Sequence, residues 1–199
     1  ERKKMRIEVA TEGRMDMSGR GILRAIQNSD MPLLDLLVRE AVQNSLDACS
    51  EESEFVKVDL GVGEFSSFDL AEELEGVTDS LNSKYQNDIQ PYMYISDTGT
   101  EGLTGPLHYS EVKKSDDSYG NLLKLVYQIA KPQDVQGAGG SWGYGKTVYY
   151  RMGIGIVIYY SRILDEEGKY KSRLAACLVE DEKGPNKLLY DSDRGLAWW

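Results

Sequence analysis

The sequence predicts an α+β sandwich built on a mixed or antiparallel sheet, and three observations carry that expectation. Helix-period and strand-period segments are interspersed along the chain instead of recurring as repeated β–α units. Two late strands, 153–163 and 172–180, follow one another around a turn at Glu166–Gly168, which is hairpin order. No internal repeat or low-complexity linker divides the 199 residues, so one domain spanning 1–199 is expected.

The elements follow in order. GRGILRAIQN, from Gly19 to Asn28, has helical character and leads to Pro32. Proline suits a first helical position, with Ser29 or Asp30 as cap, and the periodic run LLDLLVREAVQNSLDACS continues the helix to about Ser50. FVKVDLGV, from Phe55 to Val62, alternates apolar and polar residues as a half-buried strand does. The acidic stretch from Ala71 to Asp88 reads as helix followed by loop. PYMYIS, from Pro91 to Ser96, is a short strand running out at Asp97 into the glycine-broken loop DTGTEGLTG. Tyr119 to Lys131 reads as a helix stopped by Pro132, and the two late strands complete the count.

Composition removes several function classes. The formal charge is −10 and the pI about 4.7, which gives direct nucleic-acid binding by this domain no support. The basic spots Arg2–Arg6 and Arg20–Arg24 read as solvated surface. Two cysteines, Cys49 and Cys177, exclude a disulfide framework and a cysteine-based zinc site, and the single His108 leaves no histidine-rich metal centre. The longest apolar run, GIGIVIYY from Gly153 to Tyr160, is strand-sized, and no secretory signal opens the chain; no membrane association and a cytoplasmic location are expected. Starting at Glu1 instead of Met, the chain is expected to be a piece of a longer protein. Its end, LAWW, reads as an apolar surface completed by residues outside the chain or by another subunit.

Three constellations carry chemistry. In REAVQNSLDA, Glu40, Asn44 and Asp47 stand at offsets of four and seven, within about 60° of arc on one helix face. Leu33, Leu36 and Leu37 project beside them, so two carboxylates and an amide there call for a polar partner such as water, a metal ion or a ligand. At the end of the strand PYMYIS, Asp97 is followed by Gly99 and Gly102; such a carboxylate can accept a hydrogen bond from an exocyclic amine, and the glycines allow close backbone approach. Third, seven of the 20 glycines crowd into the 19 residues from Gly137 to Gly155. Within that window GAGGSWGYGKT (137–147) frees backbone N–H groups to face an anion, with Lys146 adding a point charge.

That third stretch also spells a Walker A pattern at Gly140, Gly145, Lys146 and Thr147. A P-loop follows a buried strand and opens a parallel βαβ unit. Here the preceding KPQDVQ is no core strand, and the 52 residues after Thr147 are too few for the usual core. A P-loop NTPase is therefore the weaker reading.

Taken in this order, the motifs resemble those of the GHKL ATPase superfamily, which joins gyrase B, heat-shock chaperones, histidine kinases, MutL and the MORC proteins. The likeness covers about Pro32 to Arg162. EAVQNSLDA matches the family's E-x-x-x-N-x-x-D-A, Asp97 and Gly99 its D-x-G, and Gly140, Gly143 and Gly145 its lid motif G-x-x-G-x-G. The resemblance implies a Bergerat fold: a two-layer sandwich with a mixed, mostly antiparallel sheet and helices on one face. It implies ATP and Mg²⁺ as cofactors, with Asn44 giving an oxygen to the metal and Glu40 acting as general base or water-orienting group. Asp97 reads the adenine amino group, Gly99 leaves room for the base, and the segment from Gly140 through Gly143, Tyr144 and Gly145 wraps the phosphates. Gly102, Lys146 and Thr147 belong to the same binding set, with Asp47 in support near the adenine.

The sequence departs from the family in one place. The second glycine after Asp97 is Gly102, one residue later than in D-x-G-x-G. The family's later hydroxyl near the adenine has two candidates here, Ser161 and Thr147. Glu40 favours hydrolysis over transfer to protein, so a histidine kinase is a secondary reading. The expectation is a slowly hydrolysing switch whose lid closes on ATP and drives conformational change or homodimerisation in a longer chain. A non-catalytic nucleotide-sensing module is the alternative.

Overall fold

A computed structural model describes residues 4–11, 17–25, 31–108, 111–112, 120–127, 145–165, 167–190 and 192–199. Six strands and six helices are defined among them: β1 (Glu8–Val9), α1 (Gly19–Ala25), α2 (Leu33–Asp47), β2 (Lys57–Ser66), α3 (Ser67–Glu73), α4 (Thr78–Lys84), β3 (Ile89–Thr98), α5 (Gly120–Leu122), α6 (Val148–Arg151), β4 (Ile156–Leu164), β5 (Tyr170–Val179) and β6 (Leu196–Trp198). A π-helical turn, Leu123–Tyr127, continues α5, and a 3₁₀ turn, Gly145–Thr147, leads into α6. The architecture is α+β, and every ladder among the described residues is antiparallel; the one parallel pairing is the isolated bridge Met5–Leu74. No described helix is long and apolar enough to cross a membrane.

A four-stranded sheet in the order β1-β6-β5-β4 is the centre of the molecule. Along β5 the side chains alternate between two cores. Ala175, Cys177 and Val179 pack with Ile22 of α1, Leu122 of α5, Val126, Tyr150 of α6, Leu196 and Trp198. Ala176 and Leu178 point the other way, to Ala71 of α3, Leu74, Val77, Leu81 of α4, Leu188 and Trp199. Helices therefore cover both faces of this sheet, not one as the resemblance implies. The cause lies in the sequence: Ala175–Val179 is an uninterrupted apolar run, which suits a strand buried on both sides.

The terminal tryptophans correct a second expectation. LAWW is a strand and its exit inside the chain's own core, with Trp198 5% and Trp199 9% exposed. The Trp198 indole donates to Val126 O (3.1 Å) and that of Trp199 to Glu75 O (2.9 Å), and Tyr127 stacks on Trp198.

Several boundaries move. The acidic stretch expected as one helix and a loop forms two short helices: Ser66 accepts the Asp69 N–H to cap α3, and Gly76 turns the chain at φ 83° before α4. Pro32 stands at the N-cap of α2, where its carbonyl accepts Leu36 N–H; Ser29 and Asp30 lie outside the described residues. Of the expected helix 119–131, 120–122 are α-helical and 123–127 π-helical, the remainder being undescribed.

β2 and β3 form a separate ribbon, paired from Lys57↔Thr98 to Ser66↔Ile89, both longer than their alternation suggests. On one face, the rings of Tyr94 and Tyr92 lie over Gly61 and Gly63, and Phe65 meets Tyr92 edge-on. The other face carries Ile95 and Asp97 toward α2, where Ile95 packs against the cluster of Leu37 and Val148.

Candidate functional site

The site grows from α2. Leu37, Ala41 and Ser45, spaced by four, form its buried stripe. Glu40 and Asn44 flank that stripe half-buried, and Asp47, the last helical residue, is exposed and accepts a hydrogen bond from Gln43 Nε2 (2.7 Å).

Ser45 joins the helix to the ribbon. Its Oγ donates to Asp97 Oδ2 at 2.7 Å, while Thr100 Oγ1 donates to Asp97 Oδ1 at 2.8 Å. Asp97 is thus clamped from both sides, one residue inside the end of β3. The loop that follows is stitched to the exit of α2: Ser50 N–H donates to Gly99 O (3.0 Å) and Glu101 N–H to Ala48 O (2.9 Å). Gly99 (φ 81°) and Gly102 (φ 72°) have the left-handed conformation this loop requires. A side chain on Gly99 would collide with Phe55 O, and one on Gly102 with Ser161 Oγ. The space these glycines leave is therefore occupied by the chain itself. Ser161, on β4, accepts Leu103 N–H at 2.8 Å and so lies under the Asp97 loop, whereas Thr147 is fully buried in the 3₁₀ turn.

The third group arrives with α6. Gly145 lies against Glu40, so closely that a Cβ there would overlap the carboxylate. Tyr149 accepts a hydrogen bond from Asn44 Nδ2 at 3.0 Å. Lys146 Nζ donates to Lys124 O at 3.0 Å, which anchors the ammonium beside the site. Gly140, Gly143 and Tyr144 lie outside the described residues.

Electrostatics tie these groups together. Burial raises the Glu40 pKa, opposed by the charges of Arg39 and Lys146 and assisted by Asp47. Burial, then Lys124, lowers the Lys146 pKa, while Glu40 and Asp47 hold it up. Tyr149 is pushed up to about 12, mainly by burial, with Glu40 and Asp97 contributing. Glu40, Asn44, Asp97, Gly145, Lys146 and Tyr149 therefore form one polar neighbourhood drawn from three distant stretches of chain. Among the described residues no three His, Cys, Asp or Glu side chains converge as a metal cage.

Sequence reasoning missed Ser45 and Tyr149. Ser45 was visible as the polar member of an otherwise apolar stripe at steps of four. Tyr149 carried no signal, since α6 is only four residues long and follows a glycine-rich stretch that discourages reading a helix there. Two clefts among the described residues, one beside Arg20 and Lys187 and one beside Lys4 and Glu72, contain none of the expected site residues.

No protein-family model, curated protein or solved structure matches the chain.

Proposed function

We propose that this chain is an ATP-binding switch of GHKL type that closes on Mg²⁺-ATP and hydrolyses it slowly, signalling to a second copy or to further domains. The family reading rests on the motifs, and the observation that carries it is their meeting in space: α2, the end of β3 and the turn into α6 contribute one charged and polar cluster.

The donor set suits the proposed ligands. With Asn44 Nδ2 engaged by Tyr149, the amide oxygen is the atom left for a cation. Magnesium takes one or two protein oxygens and completes its shell with water and phosphate, so a three-carboxylate cage is not needed. Bound there, the metal would neutralise phosphate charge. Asp97 keeps acceptor capacity on both oxygens after Ser45 and Thr100 have donated, enough for an exocyclic amine. The raised pKa of Glu40 makes its carboxylate a stronger base toward a water proton, while the charges of Arg39 and Lys146 favour its ionised form.

Glu40→Ala is expected to lower phosphate release about 100-fold or more while ATP binding persists. Unchanged hydrolysis in that variant would remove Glu40 from the role. Phosphate release measured beside sizing, with and without ATP and Mg²⁺, decides the class. ATP-dependent self-association without phosphate release identifies a non-catalytic sensor, and no thermal shift with Mg²⁺-ATP sinks the nucleotide reading.

A further inference from the structure

A second cleft, of about 560 Å³, opens on the side of the sheet where β5 ends, between α1, the end of α4 and the stretch from α6 into β4. Its charge is opposite to that of the chain. Arg20, Arg24, Lys84, Arg151 and Lys187 line it, in a protein of net charge −10. The two carboxylates in its wall, Glu180 and Asp181, are already engaged. Glu180 accepts the N–H groups of Leu188 (2.6 Å) and Leu189 (2.8 Å), and Asp181 accepts Lys183 N–H (2.9 Å) and faces Arg20 Nε at 3.8 Å. Glu182, beside the cleft, is held by Arg20 N–H (3.0 Å).

The cations are less satisfied. Arg20 Nε is buried without a hydrogen bond, 3.8 Å from Asp181, and Lys84 and Lys187 act on Glu180 across the cleft without closing to an ion pair. Arg151 is braced by Leu23 O at 3.3 Å, which holds its guanidinium at the wall. Glycines keep the floor low: nothing stands within 4 Å of where a side chain on Gly153 would begin.

Five positive groups around a concave surface, against two carboxylates in its wall, form a receptor for a multiply charged anion. We propose that this cleft binds a phosphate-bearing anion of about mononucleotide size, at a site separate from the polar cluster on α2. The two sites flank one short helix. Tyr149 of α6 bonds Asn44, while Tyr150 and Arg151 line the cleft.

Tripolyphosphate, which carries no base or sugar, is the probe, titrated calorimetrically into the chain at low salt. Binding is expected, weakened about tenfold or more by Lys84→Glu with Lys187→Glu; Lys146→Gln, at the α2 site, tells the two locations apart. Lys84→Gln with Lys187→Gln keeps side-chain length, and serves if the reversed pair does not fold by circular dichroism. No binding by the parent chain overturns the proposal, as does equal affinity in parent and lysine variants. A loss that follows Lys146 also overturns it, while leaving the nucleotide reading of the α2 site intact. Competition by a short DNA duplex overturns the assignment to a mononucleotide-sized anion, and its absence agrees with it.

Discussion

The four-stranded sheet and the two-stranded ribbon are held in place by different physics. In β5, Ala176, Cys177 and Leu178 are completely shielded from solvent, with side chains packed above and below. In the ribbon, Val62 is 76% exposed and Met93 43%, although each strand is as long as β5. Apolar burial fixes the first. The second meets α2 at Ile95 and Asp97, through an apolar contact and one hydroxyl–carboxylate bond from Ser45. The candidate site thus sits where the fold is thinly packed, the kind of place in which local opening is cheap.

Substitutions can test that contrast. Trp198→Ala should cost about 3–5 kcal/mol in urea unfolding, against about 0.5 kcal/mol or less for Met93→Ala. Comparable losses would mean that the ribbon is part of the main core. Ser45→Ala removes the arm of the clamp that ties Asp97 to α2 and should cost about 1 kcal/mol. Amide exchange should then quicken in β3 near Asp97 and stay unchanged in β5; uniform acceleration would show one cooperative unit.

Gly145→Ala pushes on the end of a flexible side chain, so Glu40 swings aside and the stability cost stays under about 1 kcal/mol. Phosphate release should nevertheless fall as in Glu40→Ala, and in a Glu40→Ala background the Gly145 change should cost less still.

The smallest effect is in Glu40→Gln. Because burial raises the folded-state pKa, the folded form holds its proton more tightly than the unfolded chain. Stability therefore declines as pH rises from the usual glutamate value through the raised one, and the penalty is complete above it. Glu40→Gln should raise Tm at pH 7, with the advantage shrinking as pH falls to the usual glutamate value. A constant difference across that range would deny Glu40 its shifted titration.

Much of this was legible in the sequence where a local rule operated. Leucine spacing after Pro32 marked α2, and alternation with a turn near Gly168 marked the hairpin β4–β5. What escaped depends on distant partners. β1 and β6 have two and three residues, too few for any period, and exist because β5 offers an edge in the core. The apolar run in β5 reads only as a hairpin strand, with helices expected on one face, and which helices supply the second layer depends on the path of the chain. In the site, Glu40 and Asn44 stood out because polar groups beside leucines are costly to bury, and Asp97 because it ends a strand just before glycines. Tyr149 did not, because an aromatic residue in a short segment is ordinary until Asn44 is found opposite.

The pairing of Cys49 with Thr100 has a practical side. The chain has two thiols, of which Cys177 is sealed in the core with its pKa driven up to about 12, while Cys49 is exposed at the seam between α2 and the Asp97 loop. Alkylating reagents act on exposed thiolate. The unmodified sequence therefore already offers a single chemical handle, at the joint between α2 and the Asp97 loop.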